Sequence, residues 1–191
     1  MLVVIKSLNE LEALSSSCLP IELKTRIDNK NNKQAHRQSH LAYCLLLKTL
    51  KKEYAIDNVE IKFSPNGKPY IQNGPHFSIA HSDNYIAIAI DNNEVGIDIE
   101  KVGEFNTAIA DKYFSASEKK FLFNGDKNLN FYKLWTAKEA LIKKKGTGLR
   151  DLSDTELIPI PDGFRHNENL IMTQIAENYV ISVCFSEKTD F

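Results

Sequence analysis

Tyr85-Ile-Ala-Ile-Ala-Ile-Asp-Asn-Asn-Glu-Val-Gly-Ile-Asp-Ile-Glu100 is the stretch on which the fold turns. Tyr85–Ile90 reads as a short apolar strand. Asp91-Asn-Asn93 reads as a hairpin turn leading into a second strand over Glu94–Glu100. Side chains alternate along a strand, so Asp98 and Glu100 share one face while Ile97 and Ile99 point into the core. Two carboxylates about 7 Å apart on one strand face repel unless a cation lies between them, and hard oxygen donors at that spacing suit Mg²⁺. An exposed polar face of an amphipathic strand would look the same.

Working outward, the order strand, helices, strands occurs on each side of Glu94. Upstream, strands are predicted at Leu2–Ile5, Val59–Phe63 and Phe77–Ala80, with helices near Ile21–Ile27 and Gln34–Glu53 and a turn-rich loop over Ser64–Pro69. Downstream, helices are predicted at Thr107–Phe114, Ser117–Phe123 and Leu129–Lys144, then strands at Thr155–Ile160, Leu170–Ile175 and Tyr179–Phe185. The expected architecture is α+β. Two similar α/β lobes, residues 1–93 and 94–191, are related by a pseudo-two-fold, with an active site in the cleft between them. The halves share no obvious sequence identity, so the duplication is one of topology.

Composition narrows the function classes. The 191 residues are 42% hydrophobic and 26% charged, a globular balance. The net charge of −1 argues against a nucleic-acid coat or a polybasic membrane anchor. No apolar run approaches the roughly 20 residues needed to span a bilayer, and the start lacks a signal-peptide pattern, so a cytoplasmic protein is expected. Cys18, Cys44 and Cys184 are widely spaced and form no CxxC, which speaks against disulfides or structural zinc. Charge is uneven along the chain: Lys24–Lys52 is basic, Asp91–Glu104 acidic and Lys138–Arg150 basic again. Such blocks suit a polyanion held by protein cations and a divalent metal, and equally suit ordinary solvated faces.

Several further segments carry chemistry-bearing residues. In Phe131-Tyr-Lys-Leu-Trp-Thr-Ala-Lys-Glu-Ala-Leu-Ile-Lys143, the residues Trp135, Glu139 and Lys143 recur every fourth position and share a helix face. Glu139 could be a third carboxylate for a metal and Lys143 a phosphate ligand, or the two could form an exposed Glu–Lys pair. Ser115 followed by Glu118 is a capping-box pattern, and Glu118 could instead be a general base for a hydroxyl nucleophile. His81 closes Phe77-Ser-Ile-Ala-His-Ser82 beside a turn, where it could donate to a phosphate or be a surface histidine. His36 and His40 have no third ligand for zinc. Gly67-Lys-Pro69 lacks the P-loop frame.

The order and spacing of these segments say more than any one of them. Gly67-Lys-Pro69, Phe77-Ser-Ile-Ala-His-Ser82, Gly96-Ile-Asp-Ile-Glu100, Phe114-Ser-x-x-Glu118, and Trp135-x-x-Lys-Glu-Ala-x-x-Lys143 with Gly146-x-Gly-Leu149 together resemble the 4′-phosphopantetheinyl transferase superfamily. The length resembles its longer, monomeric type, in which one chain supplies both lobes. The resemblance implies transfer of 4′-phosphopantetheine from coenzyme A to a serine of an apo acyl or peptidyl carrier protein, releasing adenosine 3′,5′-bisphosphate. It implies Mg²⁺ held by Asp98, Glu100 and Glu139, with Glu118 as base and Lys143 as catalytic and phosphate-binding residue. It also implies coenzyme A contacts from Arg37, Gly67, Lys68, Pro69 and His81. Neither nucleic acid nor membrane is an expected partner. Ala80 departs from the serine found in many members, and Gln38-Ser39 follows Ala35-His-Arg37 where a threonine is common. Lys24, Lys30 and Lys33 align with no fixed position. Two other classes fit parts of the pattern: a silent coenzyme A or carrier-binding module, and a magnesium-dependent hydrolase of a nucleoside bisphosphate.

Overall fold

A computed structural model describes residues 1–14, 19–28 and 32–187, so Cys18 and Lys30 lie outside the described residues. The first part of the chain forms β1 (Leu2–Ser7), α1 (Leu8–Leu11), α2 (Ile21–Asp28), α3 (Lys33–Tyr54), β2 (Ile61–Phe63), β3 (Pro69–Ile71), β4 (His76–Ser82) and β5 (Tyr85–Asp91). The second part forms β6 (Val95–Lys101), α4 (Thr107–Tyr113), α5 (Ala116–Leu122), α6 (Lys127–Lys145), β7 (Ile158–Ile160), β8 (Gly163–His166), β9 (Asn169–Ala176) and β10 (Tyr179–Ser186). No helix among the described residues is long and apolar enough to cross a membrane.

The strands pair as β1-β5-β4 in one sheet and β6-β10-β9-β8-β7 in another, with β2-β3 apart as a small ribbon. All pairings are antiparallel. The pattern β1-β5-β4 is repeated as β6-β10-β9: the first strand of each set pairs with the last, which pairs with the one before it. A long helix, α3 or α6, lies between first and later strands in each set. The expected duplication of topology is therefore visible in the strand order.

The opening stretch explains how the layers stack. Ile86, Ile88 and Ile90 pack under Leu41, Leu45, Leu46 and Leu50 of α3. Ala87 and Ala89, on the other face, meet Val95, Ile97, Ile99, Ile181 and Val183 of the second sheet. Every residue from Ile86 to Ile90 is fully buried. Each isoleucine contributes about 1.5–3 kcal/mol by leaving water, and the small alanines let the sheets approach. The expected hairpin at Asp91–Asn93 is corrected here. Both edges of β5 are occupied by β1 and β4, and β6 pairs with β10. The turn, in which the Asn93 N–H donates to Asp91 Oδ1 at 3.1 Å, carries the chain from one sheet to the other.

On the second lobe, Gly96 presses directly on α6. A Cβ there would lie 1.9 Å from the Ala140 carbonyl oxygen and 2.6 Å from the Lys144 nitrogen. Glycine in a strand marks such an approach of two backbones. α6 begins at an Asp126 cap and ends at Gly146, whose φ of +69° suits glycine.

The structure adds elements that the sequence reading left as loop: α1, β3 starting at Pro69, and β8. The strand expected over Thr155–Ile160 shrinks to Ile158–Ile160. Its first backbone groups are used elsewhere: the Leu157 N–H donates to Glu118 Oε1, and the Thr155 carbonyl accepts from Lys138 Nζ.

Replacing Gly96 by Ala puts a methyl into backbone atoms that have no rotamer to move. We expect a loss of roughly 3 kcal/mol or more, at or beyond the upper end of overpacking costs, read as a lower denaturation midpoint in urea. An alanine variant as stable as the parent would mean that β6 and α6 separate freely.

Candidate active site

A cavity of about 590 Å³ lies at the junction of the two sheets, walled by α3, the turn before β3, β4, β6 and α6. That volume suits a small-molecule ligand. Gly67, Lys68, Pro69, His81, Asp98, Glu100, Glu139 and Lys143 all face it. They come from four separate segments, and local folding rules aim each one. Asp98 and Glu100 share the β6 face that carries Gly96 against α6. On α6, the four-residue spacing brings Trp135, Glu139 and Lys143 to the cavity together. Gly67, at φ +85°, turns the loop that presents Lys68 and Pro69, and the turn is closed by its N–H donating to the Ser64 carbonyl at 2.8 Å.

The electrostatics are lopsided. Asp98 is buried, and its Oδ1 accepts from Lys143 Nζ at 2.7 Å. Its Oδ2 is buried without a hydrogen-bond partner. Burial pushes the Asp98 carboxyl upward, against the pull of Lys143. Glu100 is pushed up to about 7 by burial and by the nearby Asp98 charge, with the Ser82 hydroxyl pulling the other way. Glu139 is pushed up to about 7 by burial and again by Asp98, partly offset by Lys143. One ammonium thus faces three carboxylates that crowd one another. The orphaned Asp98 oxygen and the all-oxygen donor set fit a hard divalent cation such as Mg²⁺. As the side chains stand, no group of three or more His, Cys, Asp or Glu among the described residues is drawn together around such an ion.

Lys68 has two engagements at the lobe junction. Its ammonium pairs with Glu94 and donates to the Lys144 carbonyl at 2.6 Å. Asn66 Nδ2 donates to the Gly146 carbonyl at 3.1 Å. The turn therefore docks on the carbonyl end of α6, where positive charge is favoured.

Two expected site residues lie elsewhere. Arg37 is exposed and pairs with Glu12 at 2.5 Å; it does not reach the cavity wall, whereas Ser39 and Tyr43 of the same helix do. Glu118 is also off the wall. Its Oε2 accepts the Ser115 N–H at 2.8 Å, and Ser115 Oγ in turn accepts the Glu118 N–H at 3.2 Å, completing the capping box. Its Oε1 accepts the Leu157 N–H at 2.8 Å and lies 2.9 Å from Lys138 Nζ, with both side chains fully enclosed. Lys138 also donates to the Leu152 carbonyl at 3.2 Å. The structure gives Glu118 the cap, and no solvent or hydroxyl nucleophile meets its carboxylate in this conformation. The partner that the sequence reading missed is Lys138. Its signal in the sequence is helical spacing, since the buried Leu134, Leu141 and Ile142 lie three or four positions away.

Residues 94–189 match the family described as the 4′-phosphopantetheinyl transferase superfamily. The chain is 33% identical over 175 residues to 4′-phosphopantetheinyl transferase gsp of Aneurinibacillus migulanus, covering 84% of this chain and 73% of that protein. It is 36% identical over 172 residues to a 4′-phosphopantetheinyl transferase of Bacillus subtilis, covering 81% and 75%. It is 37% identical over 126 residues to 4′-phosphopantetheinyl transferase Sfp of Bacillus subtilis strain 168, covering 62% and 56%.

Two outcomes follow from the site's charges. Lys138→Met leaves the Glu118 carboxylate buried and unpaired, so a loss of about 3–5 kcal/mol is expected. Adding Glu118→Gln to that variant should recover part of it, and chemical denaturation of the single and double variants reads both. The second outcome concerns pH. Glu100 and Glu139 keep their protons to about pH 7 when folded, against an ordinary value of 4.5. Their stabilising share is complete below that ordinary value and is lost as pH rises through the folded value. In chelator, the parent should melt lower at pH 8 than the same protein near pH 5.5, and Glu139→Gln should shrink that difference. An unchanged difference would show that Glu139 titrates as an exposed carboxylate.

Proposed function

The chain belongs to the 4′-phosphopantetheinyl transferase superfamily, and we propose that it transfers 4′-phosphopantetheine from coenzyme A to a serine hydroxyl of an acyl or peptidyl carrier protein. The other product is adenosine 3′,5′-bisphosphate. The observation that carries this reading is the convergence of Asp98, Glu100, Glu139 and Lys143 in one cavity, with negative charge in excess and an Asp98 oxygen unpartnered. A module that only bound coenzyme A would have no use for crowded buried carboxylates, which cost stability without a cation.

In this proposal Asp98, Glu100 and Glu139 hold Mg²⁺, which when bound neutralises pyrophosphate charge and polarises the phosphorus under attack. The chain's own residues do the rest. Lys143, now paired with Asp98, turns to the pyrophosphate oxygens. Lys68, Pro69, Gly67 and His81 face the nucleotide end of coenzyme A. The carrier serine oxygen forms a bond to the β-phosphorus, and the bond from that phosphorus to the bridging oxygen breaks. The bridging oxygen leaves on the nucleotide, and the serine proton is released to solvent. Glu118 serves by fixing α5, α6 and the segment before β7 to one another.

Residues 1–93 form the coenzyme A side and 94–191 the magnesium side. The repeated strand order within one chain supports a site complete in a monomer. A protein using coenzyme A in this way is expected in the cytoplasm.

The test is incubation with magnesium, coenzyme A and a panel of apo carriers, read by mass spectrometry. A carrier that gains one phosphopantetheine supports the reading, and Asp98→Ala or Glu139→Ala should nearly abolish that gain. Coenzyme A bound without any transfer would favour the binding module, and cleavage without transfer the hydrolase.

A further inference from the structure

β4 and β6 run side by side where the two sheets meet, yet they belong to separate sheets. Serine hydroxyls bridge them. Ser78 Oγ accepts the Ile97 N–H and Ser82 Oγ accepts the Lys101 N–H, each at 3.1 Å. The two serines are four residues apart on β4, and so are their donors on β6, so the bridges repeat at one strand interval.

The two bridges differ in where the hydroxyl proton goes. A hydroxyl has one proton to give. At Ser82 the oxygen already accepts from Lys101 N–H, and the hydroxyl donates to Glu100 Oε2 at 2.9 Å. Ser82 itself is held firmly. The following residue, Asp83, sits at φ +47°. Its carbonyl accepts from Gln38 Nε2 of α3 at 2.8 Å. Its carboxylate accepts from Lys101 Nζ at 2.7 Å and from the Tyr179 hydroxyl at 3.1 Å. A rigid corner of one lobe thus delivers a donor to a carboxylate of the other.

We propose that Ser82 is a positioning residue for the transfer reaction: its hydroxyl, supplied by the coenzyme A lobe, fixes the Glu100 carboxylate in the orientation from which it takes the metal. This rests on the transferase reading and its magnesium site. Glu100 shares a strand face with Asp98, and like charges there would otherwise drive the longer side chain out toward solvent. A fixed donor on one oxygen leaves the other to face the cavity. Ligands to metals are held in this way by hydrogen bonds from groups that do not touch the ion, and loss of such a group typically weakens metal binding 10–100-fold.

The experiment titrates magnesium into the full chain saturated with coenzyme A, by calorimetry, for the parent, Ser82→Ala, Ser82→Thr and Ser78→Ala. Ser82→Ala should bind magnesium about 10-fold more weakly or worse, with the KM for the carrier unchanged. Ser82→Thr keeps the hydroxyl and should restore most of the affinity. Ser78→Ala breaks the equivalent bridge without touching a carboxylate, so it should lower the melting temperature without weakening magnesium. If Ser82→Ala does not fold, Ser82→Cys, a much weaker donor of similar size, takes its place. Parent-like magnesium affinity in Ser82→Ala, equal weakening in Ser78→Ala, or failure of Ser82→Thr to recover affinity would each overturn the proposal. A parent that modifies no carrier would overturn the transferase reading instead, while the magnesium titrations still judge Ser82.

Discussion

The contact between Gly96 and the backbone of α6 is the constraint from which the site follows. With a Cβ position only 1.9 Å from the Ala140 carbonyl, strand and helix touch without any side chain between them. That fixes their register. Across this contact the Lys143 ammonium reaches Asp98, the next residue on the same face of β6, at 2.7 Å. Glu100 and Glu139 then face the same cavity. A larger residue at 96 would push β6 outward and break the match of carboxylates to helix.

Much of this was legible in the sequence because it depends on local periodicity. The two-residue spacing of Asp98 and Glu100 and the four-residue spacing of Trp135, Glu139 and Lys143 set faces that no distant contact can reverse. The apolar run Ile86–Ile90 was recognisable as a strand. Its partners were not, because a strand buried on both faces carries no signal of which edge goes to which neighbour. The reading of Asp91–Asn93 as a hairpin failed for that reason: β1, eighty residues upstream, had already taken the edge. Thr155–Leu157 was misread as strand because its hydrogen-bonding groups are claimed by Glu118 and Lys138, a long-range arrangement. Arg37 and Ser39 show the limit on a helix: two positions apart they diverge by about 200°, and only Ser39 faces the cavity.

Lys138 and Glu139 are adjacent in sequence and part by about 100° around α6. Lys138 turns into the lobe and meets Glu118, with cap, carbonyls and Leu157 N–H completing the set. There the charges balance one to one, the hydrogen bonds are made, and the side chains are sealed from water. Such a pair is costly to break from one side and gains nothing from a ligand. It locks α5 to α6 and to the chain entering β7.

Glu139 turns the other way, into a group where the charges do not balance. Asp98, Glu100 and Glu139 face a single Lys143, two of the carboxyls are lifted to about 7, and one Asp98 oxygen has no partner. An unbalanced cluster beside a cavity is poorly suited to stabilise a fold by itself, since each added negative charge raises the cost of its neighbours. On the proposed reading, a cation on the carboxylates and an anionic ligand on Lys143 would together lower that cost. The same helix therefore carries a satisfied pair on one side and an unsatisfied cluster on the other. The first makes the second affordable, because a scaffold locked by Glu118 and Lys138 can hold like charges together until the substrate arrives.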